Sequence, residues 1–244
     1  MATFVMIHGA WHGGWCFDAL RAPIEAAGHA MIAPNLPGMG GSDRELAEVT
    51  LAGWAEFTAS LCRAAPRPVI LVGHSRGGLV ISQAAEIAPD AIDALVYLCA
   101  MLLPHGLSRA MWKARQGSNP AFDAIVRQHP SGHATTVDRA AAPAVFAQLS
   151  PMADALVAAR RLVAEPSAPR NTPMVLTDTG YHSVARHYVE CLHDRTIPIA
   201  DQRAMHAVLP CASVTALDAD HSPFLSAPKA LASGLISIAE GLEK

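Results

Sequence analysis

No stretch of this chain stays apolar for the roughly 20 residues that a membrane-spanning helix needs. Gly, Pro, His, Ser or a charge interrupts every long apolar run, which argues against a helical membrane span. A basic run long enough to follow a phosphate backbone is missing too. Eighteen Lys and Arg against 21 Asp and Glu leave a formal charge of -3, so nucleic acid is not an expected partner. The opening residues MATFVMIHGAWHGG lack a basic region ahead of their short apolar stretch. Neither a signal nor a transit peptide is expected there, and the cytoplasm is the expected compartment. Cys16, Cys62, Cys99, Cys191 and Cys211 are odd in number, scattered, and form no CxxC pair. They are expected to be reduced and mostly buried.

What the chain does have is apolar mass, 51% of 244 residues, enough for a single domain with a substantial core. Short Val-, Ile- and Leu-rich runs without polar alternation suit strands buried on both faces of a parallel sheet. Strands are expected near Thr3–His8, His29–Ala33, Val69–Gly73, Ala94–Cys99, Arg186–Cys191 and Ser213–Leu217. Helical patterns fill the gaps at Trp15–Ala27, Leu51–Ala65, Arg76–Ala88, Asp201–Val208 and Pro228–Glu240. This alternation predicts an α/β fold with a mostly parallel, doubly wound sheet.

The rhythm stops at 101–182, where helical patterns such as Pro151–Val163 occur without a convincing run of core strands. The expectation is a helical cap inserted before the penultimate strand, with 1–100 and 183–244 forming the core. Met101, Leu102, Leu103, Leu107, Met111 and Trp112 either line an apolar pocket or simply pack this segment onto the sheet.

The segment Pro68–Ile81 reads as an apolar strand, then Gly73-His74-Ser75-Arg76-Gly77, then a helix. A strand-to-helix turn tight enough to expose a Ser side chain brings backbones together two residues before and after it, where only Gly fits. Ser75 is therefore the expected nucleophile. Its hydroxyl needs a base, and His221, between the last predicted strand and the last helix, has the right place. His74 adjoins Ser75 but should point away from it, into packing or a hydrogen bond. Asp194 and Asp178 compete to orient the base. Asp194 is favoured because the interval from it to His221 fits one helix and one strand, whereas the longer interval from Asp178 leaves a surplus. Asp218 and Asp220 are too close to His221 in sequence to reach round its ring easily.

After the first strand, the loop His8-Gly9-Ala10-Trp11-His12-Gly13-Gly14 can turn the backbone N–H of Ala10 toward Ser75. With the N–H of Arg76 it would form an oxyanion hole. Gly9, Trp11 and Ser222 flank these groups and join the candidate pocket. His8 and His12 have no third ligand nearby, so no metal is expected, and the chemistry calls for no cofactor.

With these residues in place, the chain resembles the α/β-hydrolase group of plant methylesterases and hydroxynitrile lyases and their bacterial esterase relatives. The likeness covers nearly the whole chain. It is most specific at FVMIHGAWHGGW (Phe4–Trp15), GHAMIAPNLPG (Gly28–Gly38), GHSRGG (Gly73–Gly78), Gln148–Val163, Tyr188–Met205 and Asp220–Leu225. It implies Ser75 as nucleophile, Asp194 as acid, His221 as base and Ala10 as second oxyanion donor. The lyases resemble one another in carrying Thr after the first His and Lys after the catalytic His. Gly9 and Ser222 stand there, which disfavours cyanide release and points to hydrolysis of small, apolar carboxylic esters. Arg76 departs from the apolar residue usual in the plant members, leaving its side chain to shape the pocket rim or pair with a cap carboxylate. Thioester or lyase chemistry and a non-catalytic small-ligand carrier are the alternatives. A homodimer is compatible with the sequence, which is otherwise silent on assembly.

Overall fold

The computed structural model describes residues 1–242. Nine strands are described: β1 (Thr3–Ile7), β2 (Ala30–Ile32), β3 (Val69–His74), β4 (Ala94–Leu98), β5 (Val126–Gln128), β6 (Ala134–Val137), β7 (Glu165–Pro166), β8 (Arg186–Cys191) and β9 (Ser213–Leu217). Six of them form one parallel sheet in the order β2-β1-β3-β4-β8-β9. The chain lays β2 on one side of β1, then crosses to β3 on the other and moves steadily outward. That reversal makes the carboxyl ends of β1 and β3 the switch point where such sheets hold ligands.

The two faces of the sheet explain its apolar runs. Val5, Ile7 and Leu71 face one core, with Trp54 from α2 (Leu51–Ala64) and Leu79 from α3 (Gly77–Ile87). Phe4, Met6, Ile70 and Val72 face the other, against Leu20 and Ile24 of α1 (Asp18–Ala26). Leu231 and Leu235 of the last helix close that second core. Consecutive residues thus bury into opposite layers, each large side chain contributing roughly 1.5–3 kcal/mol. A further helix, α4 (Ile199–Val208), lies between β8 and β9, and α5 (Pro228–Leu242) ends the described chain.

Three features differ from the sequence reading. The first helix starts at Gly14–Phe17 as a 3-10 turn before becoming α-helical at Asp18. Strand β9 is buried only at Leu217, because it is the sheet edge and its upper residues meet solvent. The 101–182 segment is not purely helical, since β5, β6 and β7 form a small antiparallel sheet within it. Strands of three, four and two residues are too short to leave a readable period. The helix expected at Pro151–Val163 is present as Met152–Arg160.

Candidate active site

Ser75 sits between β3 and α3 with φ of +54°, a left-handed conformation that costs a non-glycine residue energy. Its backbone is pinned on both sides: its N–H donates to Leu98 O at 3.2 Å, and its carbonyl accepts from Met101 N at 2.9 Å. The flanking glycines are required by contact. A Cβ on Gly73 would lie 2.8 Å from the Gly77 carbonyl, and one on Gly77 would lie 2.5 Å from Ile7 O. The turn is therefore wedged between β1 and its own helix, and the Ser75 side chain is driven out over the sheet edge.

The loops after β8 and β9 bring Asp194 and His221 to the same edge. Ser75 Oγ lies 3.0 Å from His221 Nε2, and His221 Nδ1 lies 2.7 Å from Asp194 Oδ2. A carboxylate only accepts, so Nδ1 carries the hydrogen and Nε2 is left to accept from the hydroxyl. All three residues are buried. The Asp194 carboxylate is fixed through its other oxygen, which accepts from Thr196 N at 2.7 Å and Ile197 N at 2.9 Å. Gln202 of α4, fully buried, stitches this loop by bonding both the Cys191 and Ile197 backbones.

The neighbouring candidates have other tasks. Asp178 is exposed in a turn. Asp220 is buried and accepts from Ser222 N, Ser226 Oγ, Leu149 N and Ser150 Oγ, so it ties the His221 loop to the 101–182 segment. Exposed Asp218 pairs with His193. His74 turns away from Ser75 and donates through Nε2 to the His221 carbonyl at 2.7 Å, holding the backbone of that residue. His74, Cys99 and His221 place ligand-type atoms within 4.8 Å of one another. His221 has both ring nitrogens committed, which leaves no room for a metal ligand there.

The N-terminal loop completes the arrangement. Neither the Ala10 N–H nor the Arg76 N–H has an acceptor among the described residues, and both residues line the same cavity as Ser75 and His221. The Gly9 carbonyl belongs to the peptide unit that carries the Ala10 N–H. It accepts from His8 Nδ1 at 2.9 Å and from Arg76 Nη2 at 3.1 Å, which fixes the plane of that peptide and aims its N–H the other way. His8 can donate from Nδ1 because its Nε2 accepts from Leu36 N. Burial, reinforced by the nearby Arg76 charge, lowers His8 to a pKa of about 3, and burial lowers His12 to about 4. His74 is pushed well below its ordinary range by burial and then by His221. All three are neutral at pH 7.

The Arg76 side chain runs inward to Glu165 of β7, with Nε 2.5 Å from Oε1, both side chains about 95% buried. The contact is an ion pair rather than an aligned hydrogen bond. The guanidinium also stacks over Trp54, 4.3 Å from the ring centre. Its partner carboxylate thus comes from the 101–182 segment.

The cavity has a volume of about 110 Å³. Trp11 and Met101 line it. The other seven pocket candidates do not. A Cβ on Gly9 would lie 2.8 Å from the Ser75 Cβ, so Gly9 packs directly against Ser75. Leu102 and Leu103 are in the sheet core, Trp112 packs against that core, Leu107 is half-buried elsewhere, Met111 is exposed, and Ser222 faces a separate small cavity. Residues that the sequence reading missed take their place: Phe122 and Phe146, which pack against Trp11 at 5.9 Å, and Arg109, Lys113, Glu165 and Arg170.

Comparison with known proteins now decides the family. Residues 4–233 match the alpha/beta hydrolase family. The chain belongs to that family. This α/β-hydrolase is 32% identical to putative methylesterase 11, chloroplastic, of Arabidopsis thaliana, over 97% of its own length and 63% of that protein. It is 30% identical to methylesterase 7 of the same plant, over 97% and 96%. A crystal structure of a pyrethroid hydrolase from Sphingobium faniae JZ-2 superimposes with a TM-score of 0.87 at 29% identity, covering 98% of this chain and 97% of that one. No helix among the described residues is long and apolar enough to cross a membrane.

Proposed function

We propose that this α/β-hydrolase cleaves small carboxylic esters by a two-step acyl transfer at Ser75. Kinship with methylesterases and a pyrethroid hydrolase makes it a carboxylic-ester hydrolase. The proposal concerns which residues act and on what. One observation carries it: an unbroken hydrogen-bonded chain from Ser75 Oγ through His221 to Asp194, beside a cavity that Ala10 and Arg76 line, their backbone N–H groups without an acceptor among the described residues.

In the first step His221 Nε2 takes the Ser75 proton as Oγ attacks the ester carbonyl. The N–H groups of Ala10 and Arg76 form the oxyanion hole, each worth about 2.7–4 kcal/mol of barrier on the precedent of other such donors. His221 then returns the proton to the departing alcohol, leaving an acyl-enzyme. In the second step it deprotonates water, which attacks the acyl carbon and frees the acid and Ser75. Asp194 keeps Nδ1 protonated and stabilises the imidazolium between steps. The side chains of Arg76 and His8 act as positioning groups, since both hold the Gly9 carbonyl and so fix the Gly9–Ala10 peptide. A small substrate fits a cavity of 110 Å³, given that an engineered cavity of about 150 Å³ accepts benzene. The cytoplasm is the compartment we assign to it.

Labelling by a fluorophosphonate probe tests the reading. The wild-type protein should label at Ser75 and hydrolyse p-nitrophenyl acetate, and Ser75→Ala should do neither. An unlabelled wild-type protein would instead favour a carrier.

A further inference from the structure

The cavity beside Ser75 is not uniformly apolar. Arg76, Arg109, Lys113 and Arg170 all line it, against only two carboxylates, Asp123 and Glu165. Lys113 pairs with Asp123. Glu165 pairs with Arg76, and the charges of Arg170 and Arg109 also act on it. Asp201, outside the cavity lining, acts on Arg109 as well. Three guanidiniums therefore share two carboxylates, a local surplus of one positive charge. Neither Arg109 nor Arg170 makes a hydrogen bond or an ion pair among the described residues, although both are partly buried. Arg76 keeps a buried Nη1 without any partner.

Holding like charges together in this way costs energy, which an anion between them would offset. Burial, and then the repulsion of Arg170, holds Arg109 below its ordinary range. The short helices that carry these two arginines, Arg109–Arg115 and Ala168–Asn171, pack on one another, so the charges cannot drift apart freely. A guanidinium fork matches a carboxylate with two parallel hydrogen bonds. An anion placed between Arg109 and Arg170 would satisfy both.

The position of this wall relative to the reacting groups gives it a role. The departing alcohol must lie over His221, whose ring is 6.0 Å from that of Phe146. Arg109 and Arg170 line the same cavity as Ser75, and Lys113 lies over the Phe122 ring at 5.5 Å, so cationic and aromatic linings adjoin within reach of the acyl carbon. We propose that Arg109 and Arg170 form a subsite for a second carboxylate on the acyl chain, so that the preferred substrates are half-esters of short dicarboxylic acids. Hydrolysis of such a half-ester consumes one water and yields the dicarboxylate, the alcohol and a proton. The inference rests on the ester-hydrolase reading and adds a substrate class to it.

The test is kcat/KM, from methanol release, for monomethyl succinate, glutarate and adipate against methyl butyrate, pentanoate and hexanoate. At the best chain length the anionic ester should exceed its neutral partner by about tenfold or more, as expected for a charge-assisted hydrogen bond. Arg109→Gln and Arg170→Gln should each lower that ratio by about tenfold. Arg44→Gln, which removes an exposed charge that does not line the cavity, should leave it unchanged. A ratio of one or less at every length, or a ratio that survives both cavity variants, overturns the subsite. Binding to the Ser75→Ala protein keeps this outcome separate from the chemistry. There monomethyl adipate should raise Tm more than methyl hexanoate does, and Arg109→Gln should abolish the difference. Equal shifts overturn the subsite even if no ester is turned over.

Discussion

The cleft has two walls built in different ways. On the sheet side, Ser75, His221 and Asp194 sit at strand ends, and each is held by buried backbone hydrogen bonds: the Ser75 carbonyl by Met101, the His221 carbonyl by His74, the Asp194 carboxylate by Thr196 and Ile197. On the opposite side, Arg109, Phe146 and Arg170 ride on helices of seven, five and four residues. Helices so short do not persist alone in water, so this wall exists only through its packing. Its ties to the sheet side include Arg76 to Glu165, Asp220 to Leu149 and Ser150, and the Trp11 indole N–H to Thr135. The contrast teaches a division of labour. Reaction rate is expected to answer to substitutions on the sheet side, and substrate choice to those on the assembled side.

The largest expected effect lies on the sheet side. Ser75→Ala should lower kcat by about 10⁴ or more with little change in Tm, since the wedged turn does not need the hydroxyl. Asp194→Asn follows, at about 10³ to 10⁴ in kcat, because an amide can donate to Nδ1 and so favours the wrong tautomer. Asp178→Asn serves as its control, and steady-state kinetics should not distinguish it from the wild type. Equal losses from the two Asp variants would break the assignment of the acid.

Glu165→Gln probes the tie between the walls. It leaves Arg76 buried without its counter-charge, and urea unfolding should show a loss of about 3–5 kcal/mol. An unchanged stability would mean that the two walls are independent. The smallest effect per group concerns acid. His8, His12 and His74 are neutral in the fold because burial lowers them, whereas the unfolded chain protonates them near pH 6.5. Their contribution is complete above pH 6.5 and is lost as pH falls toward 4, at about 1.4 kcal/mol per unit for each group. The urea midpoint should therefore drop between pH 7 and 5. A flat profile would show that the loop under Ala10 is more open than its burial indicates.

Legibility followed the same division. The Ser75 turn could be read because backbone contacts at Gly73 and Gly77 forbid a Cβ. His221 and Asp194 could be placed because strand order restricts which loops reach the sheet edge. The opposite wall could not be read from apolar character. Arg109 and Lys113, four apart, share the helix face that lines the cavity, while Met111 between them is exposed. Leu102 went to the sheet core and Trp112 against it for the same reason, that packing and not hydropathy chose the inward face.

By itself the sequence determined the sheet, the tight turn at Ser75 and the chain order of Ser75, Asp194 and His221, because local sterics and buried strand patterns are written in consecutive residues. Only the tertiary structure decided that Arg76 would reach Glu165, that Gly9 would be clamped by Arg76 and His8, and that two arginines would face the cavity unpaired. Those outcomes join residues tens of positions apart, and their energies exist only once the segments that carry them have docked.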